Sequence, residues 1–170
     1  KQILILVATS GDTGKAALEG FKDIPGIQII VYYPFQKVSK IQEIQMLTTE
    51  GSNTHVIAIK GNFDDCQNAV KEIFSDQHFC RFLEEKGFEF SSANSINWGR
   101  LFPQIVYYFY AYLSLLKKNQ IRLNEKINIA VPTGNFGNIL AAWYARQMGL
   151  PIEKLICASN INNVLTDFFH

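Results

Sequence analysis

The sequence has little of what marks disulfide-rich, zinc, nucleic-acid or membrane proteins. It has three cysteines in 170 residues, with no CxxC pair, and three histidines whose spacing forms no metal site. An odd number of scattered cysteines argues against a disulfide framework and favours a reducing cytoplasm. The net charge is only +1, with lysines and arginines spread along the chain. We therefore expect no partner among nucleic acids or anionic membranes.

Long hydrophobic runs are missing as well. The first apolar run, Ile3 to Val7, is too short to cross a bilayer, and no signal-peptide cleavage site follows it. What the chain does have is 48% hydrophobic and 18% charged residues, enough to bury a core of one domain or slightly more. Because Lys1 leads straight into a buried strand pattern, we expect the chain to be part of a longer protein.

Apolar runs alternate with amphipathic stretches along the whole chain. The pattern predicts strands at 2–8, 27–33, 55–59, 88–90, 127–131 and 155–158, and helices at 13–21, 39–49, 64–74, 76–86, 97–118 and 138–148. Gly51 is predicted to cap the second helix at its C-terminus. Repeated strand–loop–helix units predict an α/β fold with doubly wound parallel sheets and flanking helices, incomplete here.

The helix predicted at 97–118 is rich in Tyr and Leu and is expected to be buried on several sides. It is the best candidate for the seam between two sheets. We therefore predict part of a smaller α/β domain at 1–93 and the start of a larger one at 94–170. Truncated sheets expose edges and apolar area, so self-association or marginal stability of the isolated segment is expected.

The stretch Val131 to Asn138 is a glycine-rich turn between a strand and a helix. Such a turn directs free backbone N–H groups and the positive end of the helix dipole at one point, which suits a phosphate. Gly134 and Gly137 allow a close approach or a positive φ, and Asn135 and Asn138 tolerate turn geometry. An ordinary strand–helix turn would explain the same residues, and both interpretations stay open.

Two further turns precede helices. Thr9 to Gly14 would suit a carboxylate or phosphate, although Ser10 or Thr13 could simply cap the helix. This turn lacks the glycine and hydroxyl pattern of a Walker A loop, and neither glycine turn fits a dinucleotide fingerprint. The third turn comes before the helix predicted at 97–118. Asn97 is its predicted N-cap, and Arg100 lies one helical turn into the helix. Together the three turns predict a ligand with several anionic groups.

The residues of these three turns, taken in sequence order, resemble those of the threonine synthase family. The resemblance also runs through Lys37, Ser39 and Gln42, so it covers nearly all of the chain. It implies a fold-type II pyridoxal-phosphate enzyme, similar in fold to the tryptophan synthase β subunit, that converts O-phosphohomoserine and water into threonine and phosphate. The coenzyme would supply an electron sink.

The resemblance also implies residue roles. The phosphate of pyridoxal 5′-phosphate would be held by Gly134, Asn135, Phe136, Gly137 and Asn138. Asp12 would face the coenzyme's 3′-oxygen, where many relatives have Asn, so its carboxyl group should be neutral or turned elsewhere. Ser10, Gly11 and Thr13 would bind the carboxylate of the substrate. Asn94, Ser95 and Arg100 would bind its phosphate.

The Schiff-base lysine of the family lies before the Ser-Gly-Asp-Thr-Gly loop, so it is expected upstream of Lys1. Lys22 follows that loop, and we interpret it as a solvated lysine at the end of a helix. The segment alone is therefore expected to be inactive. Two alternatives stay open: a threonine synthase-like phospho-lyase that releases a keto acid, and a non-catalytic phosphate-binding module.

Overall fold

The computed structural model describes residues 1–95, 97–132 and 136–159. The chain separates into two compact units, the first spanning Lys1–Asn94 and the second beginning at Ser95. The strands are β1 Gln2–Ala8, β2 Ile27–Pro34, β3 Thr54–Ile59, β4 Phe88–Ser92, β5 Ile127–Pro132 and β6 Ile152–Ala158. The helices are α1 Asp12–Phe21, α2 Lys40–Leu47, α3 Phe63–Ser75, α4 Gln77–Glu85, α5 Trp98–Lys117 and α6 Gly137–Gln147.

The first unit is built on a four-stranded parallel sheet with the order β3-β2-β1-β4. Side chains alternate between the two faces of a strand, and both faces of β1 are buried. Ile5 and Val7 share one core cluster with Leu18 of α1 and Met46 of α2. Leu6 and Ala8 face the opposite side and form a second core cluster with Cys66 and Val70 of α3. Helices on both faces of a parallel sheet confirm the predicted doubly wound α/β fold.

Side-chain caps fix where the helices of this unit begin. Ser39 and Gln42 form a capping box at the start of α2, and Asn62 and Asp65 form another at the start of α3. Asp76 accepts hydrogen bonds from the first backbone N–H groups of α4. Each cap satisfies donors that the helix itself leaves unpaired.

The expectation that Gly51 caps α2 is wrong. The helix ends at Leu47 with Thr48 as its C-cap, so Gly51 does not close it. The backbone N–H of Thr48 bonds to the carbonyl of Ile44 inside the helix, so the termination needs no left-handed glycine. Met46 is the buried residue of α2, while Ile41 is 71% exposed. The helix packs along a different stripe from the one that its isoleucines suggest.

The second unit begins with the 20-residue helix α5, followed by the parallel pair β5 and β6 and the helix α6. Leu101, Ile105 and Tyr112 of α5 pack with Ala141 and Ala145 of α6. The small alanines let the two helix backbones approach closely.

The expectation that α5 is buried on several sides is wrong for this chain. Trp98, Phe102, Tyr110 and Leu113 are all more than half exposed along one side of the helix. The predicted self-association concerns surfaces of this kind, and it stays a prediction. None of the described helices combines the length and the apolar character that a membrane crossing requires.

Candidate functional site

The turn between β1 and α1 is organised by Thr9, whose side chain is buried. Thr9 Oγ1 accepts hydrogen bonds from the backbone N–H groups of Gly11 at 3.2 Å and Gly14 at 3.0 Å, and it donates to the carbonyl of Gly11 at 2.9 Å. The suggestion that Ser10 or Thr13 caps α1 is wrong, because Gly11 is the N-cap and no side chain at that position caps the helix. Ser10 is exposed.

Gly14 lies where the turn enters the core. A Cβ at this position would lie 2.5 Å from Thr9 Cγ2, 2.8 Å from Met46 Sδ and 2.9 Å from Val31 Cγ1. These distances are well inside van der Waals contact, so only glycine fits. The turn is thus packed directly against β2 and α2.

The Asp12 carboxylate is held on the outer side of the same turn. Asp12 Oδ1 accepts a hydrogen bond of 2.8 Å from Gln42 Nε2. Gln42 Oε1 in turn accepts from the backbone N–H and the hydroxyl of Ser39. One glutamine therefore joins the start of α2 to the turn before α1, and it fixes where the charge of Asp12 points.

Asn94 is buried at the end of β4, beside the end of β1. Its Oδ1 accepts from the backbone N–H of Ala8 at 2.9 Å, and its Nδ2 donates to the carbonyl of Ala8 at 2.7 Å. Its own backbone N–H donates to Ser92 Oγ at 3.1 Å. The side chain predicted to bind a substrate phosphate is thus already engaged with backbone groups.

In the second unit, the structure brings two of the predicted turns together. Asn97 caps α5, as predicted, by accepting a hydrogen bond from the N–H of Gly99 at 2.8 Å. Arg100 follows in the first turn of α5 and is exposed. Ser95 lies against the start of α6, because a Cβ at Gly137 would be 2.8 Å from Ser95 Cβ and 2.9 Å from Ser95 Oγ.

The glycine-rich turn enters α6 through an unusual backbone conformation. Phe136 is the N-cap with φ 63°, in the left-handed region, and it provides no side-chain cap. Leu140 N–H donates to its carbonyl, which closes the first turn of the helix. The amides of the first turn are therefore left for another acceptor. Gly134 and Asn135 lie outside the described residues.

Tyr108 of α5 supports the start of α6 from the side. Its hydroxyl donates a hydrogen bond of 2.6 Å to the carbonyl of Asn138. Burial raises the pKa of the Tyr108 hydroxyl, so it keeps its proton and remains a donor.

Among the described residues no group of His, Cys, Asp or Glu side chains could hold a metal ion.

Three supporting residues were missed in the sequence: Thr9, Tyr108 and the linking role of Gln42. Thr9 and Gln42 stood inside the strings that resemble the family, but nothing in their spacing showed which backbone groups they bind. Tyr108 belongs to the helix that is rich in Tyr and Leu, and burial was the role that its pattern predicted. Their contacts join residues 30 positions apart for Gln42 and for Tyr108, and only the fold creates such pairs.

Comparison with known proteins identifies the relatives of the chain, although no family model matches it. Human "threonine synthase-like 1" is 50% identical over 171 residues, covering 97% of this chain and 23% of that protein. The threonine synthase of Pseudomonas aeruginosa is 46% identical over 168 residues, covering 99% of this chain and 34% of that enzyme. The crystal structure of PLP-bound threonine synthase from Brucella melitensis matches with a TM-score of 0.75 and 45% identity, over 98% of this chain and 34% of that one.

These matches extend over the whole pattern of turns described above. The chain spans between about a quarter and a third of the length of these relatives. Over nearly its whole length, the chain is similar to a segment of the threonine synthases and threonine synthase-like proteins, and its parallel α/β architecture matches that of the fold-type II threonine synthases.

Proposed function

We propose that the chain is a segment of a threonine synthase that uses pyridoxal 5′-phosphate to convert O-phosphohomoserine and water into threonine and phosphate. The observation that carries this proposal is the 46% identity to a threonine synthase over 99% of the chain. The first unit would be part of the smaller domain of such an enzyme, and the second unit the start of its larger domain.

The start of α6 suits the phosphate of the coenzyme. The N-terminus of this 11-residue helix has no side-chain cap, and Phe136 turns the backbone so that the first-turn amides are left without an intrahelical acceptor. Gly137 has no room for a Cβ, which fits a tightly built cradle. We propose that Phe136, Gly137 and Asn138 hold this phosphate through backbone N–H groups, together with Gly134 and Asn135.

The turn before α1 suits the carboxylate of the substrate. Thr9 takes up the N–H groups of Gly11 and Gly14, so the amide of Thr13 in the first turn of α1 and the hydroxyls of Ser10 and Thr13 would be the groups that face a ligand. We propose that Ser10, Gly11 and Thr13 bind the carboxylate there. Asp12 would lie beside the coenzyme with its charge turned towards Gln42, away from the 3′-oxygen.

The substrate's phosphate requires a cationic partner. Arg100 presents planar, paired donors, and among the described residues no carboxylate forms a salt bridge with it. We propose that Arg100 and Ser95 bind this group, with Asn94 contributing to the same site. The coenzyme, when bound, supplies the electron sink for the carbanion chemistry.

The proton-transferring lysine is proposed to lie in a part of the longer protein that precedes this chain. Lys22 is poorly placed for that role, since it is the C-cap of α1. A 10-residue helix is about 15 Å long, and Lys22 therefore lies at the opposite end of α1 from the carboxylate turn.

A phospho-lyase that releases a keto acid is a second candidate for the longer protein. The observation that favours it is the 50% identity to "threonine synthase-like 1", a protein whose name separates it from the synthases. Both activities would use the same turns on this chain and release phosphate, so the organic product distinguishes them.

The deciding experiment adds O-phosphohomoserine to the full-length protein with pyridoxal phosphate and measures phosphate, threonine and keto acid. Phosphate with threonine supports the synthase, phosphate with keto acid supports the lyase, and no phosphate contradicts both.

Arg100→Ala is expected to raise KM for the phosphorylated substrate at least tenfold, since it removes a charge-assisted contact. Arg81→Ala, in the exposed part of α4, is the matched control and should leave KM unchanged.

A further inference from the structure

We infer that Tyr108 is a positioning residue for the phosphate of the coenzyme, and that it acts through the first turn of α6 without touching the phosphate itself. The inference deepens the function proposed above and rests on it for the identity of the anion. Its consequence is a preference: the Tyr108 hydroxyl makes the protein bind pyridoxal phosphate more tightly relative to pyridoxal, which lacks the phosphate.

The first turn of α6 has three backbone N–H groups that precede any hydrogen bond inside the helix. The first such bond runs from the N–H of Leu140 to the carbonyl of Phe136 at 3.1 Å. The N–H groups of Gly137, Asn138 and Ile139 come before it and point out of the N-terminal end of the helix. Phe136 offers them no side-chain acceptor. Binding of an anion there depends on how firmly these amides are aimed.

Tyr108 contacts one peptide group of this turn from the neighbouring helix α5. Its hydroxyl donates a hydrogen bond of 2.6 Å to the carbonyl of Asn138. In a regular α-helix this carbonyl also accepts from the N–H four residues on, at Ala142, so each of its two lone pairs has a donor. The second donor fixes the orientation of the peptide group between Asn138 and Ile139.

That peptide group connects the tyrosine to the anion-binding end of the helix. It contains both the carbonyl of Asn138 and the N–H of Ile139, which is one of the three amides without an acceptor inside the helix. The carbonyl points towards the C-terminus of α6 and the N–H towards its N-terminus. A donor on the oxygen polarises the group and strengthens the N–H as a donor, by about 10–30%. Tyr108 therefore both fixes and strengthens an amide that faces the turn.

Tyr108 is itself held in place by the core that α5 and α6 share. It packs against the cluster that includes Ile105 and Ala141. Because burial raises the pKa of its hydroxyl, the group stays a neutral donor at physiological pH. The same turn of α6 is also contacted by Ser95, which leaves no room for a Cβ at Gly137. The first turn is thus held by residues that lie outside the glycine-rich turn.

The first test compares pyridoxal phosphate with pyridoxal, each titrated by absorbance into the full-length, coenzyme-free protein. Tyr108→Phe keeps the ring and removes the hydroxyl. It should weaken binding of pyridoxal phosphate roughly three- to tenfold, which is what one hydrogen bond contributes, and leave binding of pyridoxal unchanged. Equal weakening of both ligands, or no weakening of either, would overturn the inference, because the hydroxyl would then have no effect specific to the phosphate.

Tyr112→Phe is the matched control on the same helix. The Tyr112 hydroxyl donates to the carbonyl of Glu125 at 3.3 Å, and its ring is buried in the same core. The variant loses a hydroxyl–carbonyl bond of the same kind, away from the start of α6. It should keep both the preference for pyridoxal phosphate and the phosphorus NMR signal of the bound coenzyme, whereas Tyr108→Phe should shift that signal. An equal loss of preference in the two variants would contradict a specific role for Tyr108.

Amide hydrogen exchange of the coenzyme-free protein tests the positioning directly. On peptides that cover residues 137–147, Tyr108→Phe should speed exchange in the first turn roughly three- to tenfold, and Tyr112→Phe should not. If Tyr108→Phe does not fold, Tyr108→Leu also lacks the hydroxyl and carries the same expectations. Unchanged exchange would overturn the positioning role.

The two proposals can be rejected separately. A wild-type protein that binds no pyridoxal phosphate would refute the proposed function, and hydrogen exchange would still decide whether Tyr108 holds the first turn of α6. A protein that binds the coenzyme and forms product, but whose coenzyme preference does not respond to Tyr108→Phe, would refute the inference alone.

Discussion

Gly137 at the start of α6 and Ser95 before α5 are packed so closely that a Cβ on the glycine would lie 2.8 Å from the Cβ of the serine. The backbone of Gly137 does not have a positive φ, and the left-handed residue of the turn is Phe136. The glycine is therefore required by the approach of Ser95, and the two turns that the sequence presented as separate anion sites share one contact.

Gly137→Ala is expected to weaken binding of pyridoxal phosphate at least tenfold, because relief of the clash must move either Ser95 or the first turn of α6. Ser95→Gly removes the opposing side chain, so the double variant should recover most of the coenzyme affinity. Coenzyme titration followed by absorbance measures all three variants. Additive losses in the double variant would show that the contact with Ser95 is not the reason for the glycine.

Two glycines of α1 should respond to the same substitution in opposite ways. Gly14→Ala forces a Cβ against Thr9, Met46 and Val31, and such overpacking costs about 1–3 kcal/mol or more. Gly20→Ala, in the same helix with nothing within 4 Å, should stabilise the protein by about 0.5–1 kcal/mol. Urea unfolding measures both. Equal effects at the two positions would mean that the packing around Gly14 is looser than described.

The sequence was sufficient for the elements and for the fold class. β1 was predicted with its observed bounds, and α5 was predicted to start after the Asn97 cap, because apolar periodicity and capping chemistry are local. The predicted burial of α5 on several sides is wrong, and the isoleucines of α2 do not mark the side of that helix that is buried. Those depend on what lies opposite each helix, which a local pattern does not contain.

The candidate site divides in the same way. The positions of the strand-to-helix turns could be predicted, because strands that lead into glycine turns and helices are visible in the chain, and the binding of anions there stays a prediction. The contacts that hold these turns in place could not be predicted. Examples are the hydrogen bond from the Gly14 N–H to Thr9 and the bond of Asn94 to Ala8, 86 positions away. Polar side chains bonded to backbone leave no periodic trace, and each could equally be a solvent-exposed residue.

Gln42→Glu tests how the charge of Asp12 is held. The substitution keeps an oxygen for the Ser39 capping box and replaces the donor to Asp12 with a second negative charge. We expect a loss of about 0.5–1 kcal/mol at low salt that shrinks in 1 M NaCl, because exposed charges are screened. Gln45→Glu, on the exposed side of α2, is the control and should change stability by less than about 0.5 kcal/mol. A loss of stability that does not depend on salt would indicate that the substitution disturbs packing and that charge repulsion with Asp12 is not its cause.

Cys66 gives a pH dependence of known sign. Burial raises the pKa of this thiol, and the neighbouring Asp65 carboxylate raises it further. The unfolded thiol titrates near about 8.5, so between that pH and the higher pKa of the folded state the folded chain binds more protons. The contribution of Cys66 to the free energy of unfolding is therefore complete below about pH 8.5 and is lost as the pH rises towards the folded pKa.

Urea unfolding between about pH 7.5 and 9.5 should show this decline before the tyrosines titrate near about pH 10. Cys66→Ala should be less stable throughout, because it leaves a cavity beside Leu6 and Ala8, but it should lose less stability with rising pH. Labelling with a thiol reagent, mapped by peptide, adds a second measurement. The exposed Cys157 should react in the folded protein, whereas Cys66 should react only as fast as the first unit opens. Rapid labelling of Cys66 at neutral pH would contradict its burial.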